Sequence, residues 1–290
     1  MIRIVILGRT GNNIFQYALG RALAAKHGVP LVMDGSWFAT KGWDEVSHFL
    51  RTPIKATVRR HPTLASRALR KLTGKHYWEY RDIPVIRENC SNHTFDPAIL
   101  NAPADCMIFG YFQSPLYFDS IKDEFRAEMR GLLAAAITPH PALLAKLCSE
   151  NAVAVHVRRT DYLSIPAHQV CGGSYHHKAM AKLRESLDSP RFYIFSDDPT
   201  WCRQRFTLPD QEIVDAGPFA TNNPLHDLHL MSLARHHIIM NSTYSWWAAW
   251  LGEKADQQVI MPDRWFASGI HAPVEEKTQP HWITVPAGTP

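Results

Sequence analysis

Short apolar runs alternate with segments of helical periodicity along this 290-residue chain. The run from Ile2 to Leu7 predicts a first strand, and a turn over residues 8–13 leads into a predicted helix over 13–27. Apolar positions in that helix recur with the period of a buried helix face. Gly28 ends it as a C-cap residue, and a strand over 31–34 follows. This order predicts a β-α-β opening.

The same alternation returns in the second half of the chain. Strands that alternate with helices are typical of a doubly wound α/β fold with parallel sheets. Such sheets bind ligands at the carboxyl ends of their strands. The predicted strands cover 153–157, 192–195, 212–214, 237–240 and 259–261, and the predicted helices cover 176–187, 199–206, 225–236 and 244–251.

The middle third is less regular. A strand is predicted over 107–112 and an amphipathic helix over 116–135, after which Pro139 and Pro141 interrupt the chain. Prolines at this spacing favour a domain boundary. We therefore expect two domains, residues 1–148 and residues 149–290.

Composition narrows the class of protein. The hydrophobic share of 46% and the charged share of 20% are those of a soluble globular chain, and no apolar run approaches the roughly 20 residues of a spanning helix. Five widely spaced cysteines without a CxxC pair indicate free thiols in a reducing cytosol. The net charge of +4 suits an anionic ligand and does not demand nucleic acid.

A basic stretch runs from Arg59 to Lys75 with nearly helical spacing. The favoured interpretation is a solvated helix face, and the alternative is contact with anionic lipid or a membrane-bound acceptor. We therefore expect a cytoplasmic protein, with peripheral contact at the inner face of the membrane as the alternative.

The first predicted strand end carries Gly8, Gly11 and Asn12. Glycines there let a ligand approach the backbone, and the following helix N-terminus can receive an anion or a polar sugar group. The alternative is an ordinary tight turn between strand and helix, and the local sequence favours neither.

The second strand end is the segment His156-Val157-Arg158-Arg159-Thr160-Asp161. Charged side chains that emerge from a buried strand need partners. Arginine matches phosphate oxygens with its planar fork and keeps its charge on burial, which favours binding of a diphosphate. The alternative is an internal clamp in which Asp161 pairs with an arginine and braces the loop.

Two further strand ends carry polar residues. In the turn Asn241-Ser242-Thr243-Tyr244, hydroxyls and amides at a helix N-terminus can bind phosphate, with N-capping by Ser242 or Thr243 as the alternative. In Ser196-Asp197-Asp198-Pro199 the carboxylates lack the spacing of a DxD metal site, so we expect Asp198 to cap a helix and Asp197 to contact a base or ribose. Histidines 226, 229, 236 and 237 lack a Cys or carboxylate that would complete a zinc site.

With these segments in order, the chain resembles the bacterial α-1,2-fucosyltransferases of glycosyltransferase family 11. The resemblance is spread over nearly the whole chain. It is weakest over residues 35–100, which leaves the acceptor least defined. The matching segments are Gly11–Ala18 with Gly20–Leu23, Gly110–Ser114, His156–Tyr162, Phe195–Asp198, and Asp227–Ser232 leading to Asn241–Leu251. One departure is the turn itself, where Arg9 adds a charge that the family's usual Gly-Gly-Leu-Gly-Asn-Gln-Met turn lacks.

The resemblance implies a GT-B-like architecture of two Rossmann-type halves with parallel sheets and the donor site in the cleft. Residues 1–148 would form the acceptor-side domain and residues 149–290 the GDP-sugar-binding domain. The implied donor is GDP-β-L-fucose, with inversion at the anomeric carbon, no metal and no further cofactor.

The resemblance also implies roles for individual residues. Arg158 would hold the β-phosphate and stabilise the departing GDP, and Asn12 would lie near that phosphate and the reacting sugar. Asp161 and Asp34 are candidates for the base, with a brace formed by Asp161 and Arg159 as the alternative. The remaining donor-binding residues are His156, Arg159, Ser196, Asp197, Asp198, Asn241, Ser242, Thr243 and Tyr244.

The expected reaction is transfer of L-fucose to O2 of a terminal galactose, in glycan or O-antigen synthesis. The acceptor would be a galactose-terminated oligosaccharide or a lipid-linked glycan. One alternative is a transferase that uses another GDP-sugar, such as GDP-mannose. The other is a non-catalytic protein that binds a nucleotide or a carbohydrate.

Overall fold

The computed structural model describes residues 1–35, 48–59, 68, 71–73, 83–89, 93–136, 141–149, 151–214, 223–267, 270 and 272–288. Contacts between residues divide the chain into two compact units, 1–127 and 128–290. Each unit is built on one parallel β-sheet. The assignment of an acceptor-side domain to 1–148 and a donor domain to 149–290 stays a prediction.

The first unit holds a five-stranded sheet in the order β3-β2-β1-β5-β4. Each described strand pairing in it is parallel. Its elements are β1 (Ile2–Val5), α1 (Thr10–His27), β2 (Leu31–Asp34), β3 (Thr57–Arg59), β4 (Val85–Arg87) and β5 (Cys106–Phe109), and α2 (Lys122–Ala135) follows across the unit boundary.

The second unit holds a six-stranded sheet in the order β11-β10-β9-β6-β7-β8, again with parallel pairings. Counted within the unit, this is the strand order of the dinucleotide-binding doubly wound sheet. Its elements are α3 (Pro141–Ser149), β6 (Ala152–Val157), α4 (Tyr175–Ser186), β7 (Arg191–Ser196), α5 (Pro199–Arg205), β8 (Gln211–Ile213), α6 (Pro224–Leu233), β9 (His236–Ile238), α7 (Thr243–Leu251), β10 (Val259–Pro262) and β11 (Trp282–Val285).

The predicted α/β class with two parallel sheets is confirmed. Strand β6 is buried at every position, as expected for a central strand with helices on both faces. The periodicity missed four elements: β3 and β4, which are short and half-buried, together with α3 and β11.

Two predicted helix starts differ from the structure. Helix α1 begins at Thr10, because Arg9 serves as an extended N-cap without a side-chain cap. Helix α2 begins only at Lys122, because two short 3-10 turns, at 115–117 and 119–121, occupy the start of the predicted helix. The break predicted at Pro139 lies outside the described residues, whereas Pro141 starts α3.

Other sequence-based expectations meet the structure only in part. Four of the five cysteines are described, and all four are free thiols. Among the described helices none combines the length and apolarity that crossing a membrane requires. Most of the basic stretch after Arg59 lies outside the described residues.

Two helical glycines offer a test of the packing between α1 and its sheet. A Cβ at Gly20 would lie 2.7 Å from Cδ1 of Leu31 and 3.0 Å from Cγ1 of Ile4, whereas a Cβ at the exposed Gly131 of α2 would have nothing within 4 Å. Gly131→Ala should therefore raise the free energy of unfolding by about 0.5–1 kcal/mol. Gly20→Ala should lower it, because overpacking costs about 1–3 kcal/mol and outweighs the same helix gain. Urea denaturation of both variants measures this, and stabilisation by Gly20→Ala would contradict the described packing.

Candidate functional site

The second sheet brings three of the predicted segments together at one edge. They follow β6, β7 and β9, which are neighbours in the order β9-β6-β7. The chain leaves β6 towards one side of the sheet and returns on its other side at β9, so the strand order reverses between these two strands. Ligands of doubly wound sheets bind at such a switch point.

Arg158 is the first residue beyond β6, and Asp161 holds its guanidinium. Nε donates to Oδ1 at 2.9 Å and Nη2 to Oδ2 at 2.8 Å, while the guanidinium carbon lies 5.1 Å from the ring centre of Tyr162. Burial alone would lower the pKa of Arg158, but the hydrogen bond to Asp161 and the neighbouring acidic groups raise it. The group therefore stays charged, and its Nη1 has no hydrogen-bond partner among the described residues.

Arg159 has a different partner. Its Nε donates to Oδ2 of Asp198 at 3.2 Å, and its guanidinium carbon lies 3.9 Å from the ring centre of Trp201. The predicted brace between Arg159 and Asp161 is therefore wrong. The chain turns before the 3-10 segment 162–164. This turn brings the carboxylate of Asp161 next to the guanidinium of Arg158, three residues earlier.

The loop after β7 supports the loop after β6. Asp197 accepts hydrogen bonds from the backbone N–H of Arg159 at 2.8 Å and from the hydroxyl of Thr160 at 2.6 Å. Asp198 caps α5 through the N–H of Trp201 at 3.0 Å, which confirms its predicted capping role. The hydroxyl of Ser196 accepts the N–H of Asp198 at 2.9 Å. Direct contact of Asp197 or Ser196 with a nucleoside stays a prediction.

Asn241 ties together three parts of the second unit. The residue is 4% exposed. Its Nδ2 donates to the carbonyls of His168 and Trp265 at 3.1 Å each, and its own carbonyl accepts the hydroxyl of Tyr162 at 3.0 Å. The thiol of Cys171 donates to its Oδ1 at 3.7 Å. These contacts hold the loops in place, so the donor-binding role predicted for the Asn241 side chain stays a prediction.

The turn before α7 differs in detail from the expected cap. Ser242 occupies the N-cap position, but its side chain makes no capping hydrogen bond to the helix. The alternative of N-capping by Ser242 is therefore not found. The hydroxyl of Tyr244 donates to the carbonyl of Pro224. The phosphate contacts predicted for Ser242, Thr243 and Tyr244 stay predictions. These three residues form the N-terminus of α7.

Two buried histidines lie behind Arg158. Burial, together with the charge of Arg158, lowers the pKa of His156 to about 3. Burial also lowers the pKa of His176 to about 4, and its Nε2 lies 3.0 Å from the carbonyl of His156. The Nδ1 of His156 has no hydrogen-bond partner among the described residues, and its ring centre lies 5.6 Å from that of Tyr244. Both imidazoles are therefore neutral at pH 7.

A cavity of about 160 Å³ opens in front of these groups. Both arginines line it, although strand alternation predicts opposite faces for them, because the regular strand ends at Val157 and alternation no longer applies. Tyr162, His168 and Trp201 are among the other lining residues. Two guanidiniums beside aromatic rings form a site suited to an anion that carries a planar or apolar group.

Asn12 lies in the first unit, in the first turn of α1. Gly8 has a left-handed φ of 71°, and a Cβ there would lie 2.3 Å from Nδ2 of Asn12, so the turn requires a glycine. Gln113 donates through Nε2 to Oδ1 of Asn12 at 3.1 Å. The other candidate of this unit, Asp34, ends β2 at 1% exposure, and Nη1 of Arg59 lies 4.0 Å from its Oδ2.

Sequence reasoning missed Glu88, which follows β4. Its buried carboxylate accepts the backbone N–H groups of Tyr111 at 2.6 Å and Phe112 at 2.9 Å. The segment around Glu88 shows little periodicity, which is why no role emerged. The available signal was Gly110, since a Cβ there would lie 2.4 Å from the Cβ of Glu88.

Among the described residues no group of three or more His, Cys, Asp or Glu side chains is placed to hold a metal ion. Two of the clustered histidines have partners within the fold. Nε2 of His237 lies 2.9 Å from the carbonyl of Met231, and Nε2 of His236 lies 2.8 Å from Oδ1 of Asn151. These two histidines therefore take part in core contacts.

Comparison with known proteins finds one family model and several relatives that match most of this chain. The model of glycosyl transferase family 11 matches residues 60–286. An alpha-1,2-colitosyltransferase of Escherichia coli is 26% identical over 90% of this chain and 91% of its own. The O-antigen biosynthesis glycosyltransferase WbnK of Escherichia coli is 27% identical over 96% of this chain and 98% of its own.

A mammalian relative and a solved structure extend the comparison. The galactoside alpha-(1,2)-fucosyltransferase 2 of Rattus norvegicus is 27% identical over 99% of this chain and 77% of its own. The crystal structure of the fucosyltransferase NodZ from Bradyrhizobium has a TM-score of 0.46 and 15% identity, covering 85% of this chain and 92% of that one.

The lowered pKa of His156 predicts a loss of stability in mild acid. The unfolded chain takes up a proton near pH 6.5, whereas the folded chain does so only at about 3. This group therefore costs no stability well above pH 6.5. As the pH drops below that value the free energy of unfolding falls, by about 2 kcal/mol at pH 5 for this one group. Denaturation of wild type and His156→Gln at pH 7 and pH 5 measures the effect. The pH-dependent loss should be smaller in the variant, and an equal loss in both proteins would contradict the assignment. The exposed His177→Gln serves as the control.

Proposed function

The chain belongs to glycosyltransferase family 11, and from that membership we propose that it transfers L-fucose from GDP-β-L-fucose to O2 of a terminal galactose. Arg158 carries the proposal, because it is a charged guanidinium fixed by Asp161 at the switch point of the second sheet, with Nη1 left without a partner among the described residues. The name of the Rattus norvegicus relative, a galactoside alpha-(1,2)-fucosyltransferase, supports the α-1,2 linkage and the galactoside acceptor.

The donor diphosphate would lie against Arg158 and Arg159, beside the N-terminus of α7. Both guanidiniums line the same cavity, and each is held by a carboxylate, Asp161 or Asp198. Helix N-terminal amides add fixed partial positive charge for phosphate oxygens. The nucleoside would extend towards His156, Ser196 and Asp197, and the phosphates towards Asn241, Ser242, Thr243 and Tyr244.

The reaction would proceed by attack of the galactose O2 on the anomeric carbon of fucose, on the face opposite GDP. The C–O bond to the diphosphate breaks as the new C–O bond forms, which inverts the anomeric centre. Negative charge grows on the departing diphosphate, and fixed cations stabilise it more in the transition state than in the ground state. Arg158 and Arg159 would thus do the work that a metal ion does in other transferases.

Asp161 acts as a brace in this mechanism. Both of its oxygens accept hydrogen bonds from Arg158, which fixes the guanidinium and engages one lone pair on each oxygen. The acceptor proton would then go to another carboxylate, for which Asp34 is the remaining candidate. Asp34 ends β2 and Asn12 follows β1, and these two strands are neighbours in the first sheet.

The acceptor is proposed to be a galactose-terminated oligosaccharide or a lipid-linked glycan. The first unit would bind it, with Asn12 near the reacting sugar and Arg9 beside it at the start of α1. A lipid-linked acceptor would place the protein at the cytoplasmic face of a membrane, where the basic stretch after Arg59 can meet anionic lipid.

A second candidate is transfer of colitose. It is favoured by one observation, the 26% identity to an alpha-1,2-colitosyltransferase over most of both chains. The two candidates share the proposed diphosphate site and differ only in the sugar that contacts the first unit.

The proposed reaction is tested by release of GDP and by analysis of the product. We expect GDP-fucose, but not GDP-mannose, to be consumed with lactose, N-acetyllactosamine or Gal-β-1,3-linked disaccharides, in buffer containing EDTA. NMR of the product should show fucose α-linked to O2 of galactose. A strict requirement for a divalent ion, or a different linkage, would contradict the proposal, and turnover of GDP-colitose alone would favour the second candidate.

Arg158→Ala should lower kcat by roughly 100- to 1000-fold, equivalent to about 2.7–4 kcal/mol, because a charged contact to the leaving group is lost. Arg184→Ala is the matched control. Arg184 also forms a bidentate pair with an aspartate, Asp210, at 2.7 and 3.1 Å, and lies over an aromatic ring, that of Phe192. The control should keep wild-type kcat. Near-native turnover by Arg158→Ala would rule out its proposed role.

A further inference from the structure

Asn12 and Gln113 meet at the switch point of the first sheet. Asn12 follows β1 and Gln113 follows β5, and these strands are neighbours in the order β2-β1-β5. The side chain of Gln113 donates to Oδ1 of Asn12 at 3.1 Å across 101 residues of sequence. Since doubly wound sheets bind ligands at such a point, the contact lies where the first unit would receive one.

The contact fixes the direction of the Asn12 amide. An amide has an accepting oxygen at one end and two donating N–H groups at the other, so whatever binds the oxygen decides where the donors point. With Oδ1 turned to Gln113, Nδ2 lies over Gly8, 2.3 Å from the place where a Cβ would be. The close approach of this donor end explains the glycine.

The loop that carries Gln113 contains a strained backbone conformation that neighbouring groups hold in place. Phe112 has a left-handed φ of 54°, although its side chain is fully buried. A non-glycine residue keeps this conformation only where its surroundings determine it, and such residues cluster at functional sites. The carboxylate of Glu88 supplies that restraint by accepting the N–H groups of Tyr111 and Phe112, and Gly110 makes room for it.

We propose that Gln113 is a positioning residue that orients the Asn12 amide for the reaction, and that Glu88 holds the strained turn from which Gln113 reaches it. The proposal rests on the proposed function, in which Asn12 lies near the reacting sugar. Gln113 itself does not touch the substrate. Its effect on the rate passes entirely through Asn12.

A double-mutant cycle on kcat tests this dependence. Gln113→Leu and Asn12→Ala should each lower kcat, by roughly 10- to 100-fold for the misplaced group, with little change in the acceptor KM. The double variant should be no slower than Asn12→Ala alone, because Gln113 has nothing left to orient. Losses that multiply in the double variant would overturn the proposal.

Gln113→Glu keeps the size of the side chain but replaces its amide with a carboxylate, which when ionised cannot donate to Oδ1 of Asn12. It should lower kcat as Gln113→Leu does, and wild-type kcat in this variant would also count against the proposal. The control is Gln16→Leu. Gln16 is fully buried nearby, donates to the carbonyl of Gly110 at 2.8 Å and accepts the N–H of Leu7 at 3.2 Å. Its loss should lower the melting temperature, and any effect on kcat should multiply with that of Asn12→Ala.

A measurement without substrate separates this proposal from the proposed function. In ¹H–¹⁵N spectra the side-chain amide signal of Gln113, identified by its loss in Gln113→Leu, should shift and exchange faster with solvent in Asn12→Ala. Thermal unfolding confirms that each variant is folded. An unchanged Gln113 signal would overturn the proposed orientation even in an active enzyme. A shifted signal in a protein that does not turn over GDP-fucose would contradict the proposed function and leave the orientation supported.

Discussion

The bidentate pair between Arg158 and Asp161 is the interaction on which the candidate donor site depends. A largely buried cation is costly unless a carboxylate meets it, and arginine cannot lose its charge to escape that cost. Asp161 offsets the cost with two hydrogen bonds. It also fixes the plane of the guanidinium, so that Nη1 is presented in a defined direction. Lysine would keep the charge but not the plane, and the exchange would therefore not be conservative.

The surrounding loops hold this pair in place through a second layer of contacts. Asp197 accepts hydrogen bonds from the backbone N–H of Arg159 and from the hydroxyl of Thr160. The hydroxyl of Tyr162 links the same loop to the carbonyl of Asn241. These contacts connect the ends of three neighbouring strands, β9, β6 and β7. The arrangement is rigid because each loop is fixed by another loop and not by its own strand alone. A site that stabilises growing charge needs this preorganisation, since reorientation during the reaction would consume the gain.

The sequence predicts the layout of this chain better than its side-chain partners. Alternating strands and helices predicted both parallel sheets, because central strands such as β6 are mostly apolar and the helices keep their period. Strand ends then gave the positions of Arg158, Asp197 and Asn241. The periodicity could not predict which arginine pairs with Asp161. Asp161 pairs with Arg158 and not with Arg159 because the chain turns between residues 158 and 161. Glu88 and the edge strands β3 and β4 escaped because short, half-buried segments carry little periodicity.

At the switch point of each sheet one side chain orients the hydrogen-bond donors of another, but the two sheets use different chemistry. In the second sheet a carboxylate orients a cation, and in the first sheet a glutamine orients a neutral amide. The difference suits the charges that each would meet. A diphosphate favours full positive charge, whereas the hydroxyls of a neutral sugar favour directed hydrogen-bond donors. The strained turn at Phe112 accompanies the contact in the first sheet, because this left-handed residue directly precedes Gln113, whose side chain reaches Asn12 beyond the end of β1.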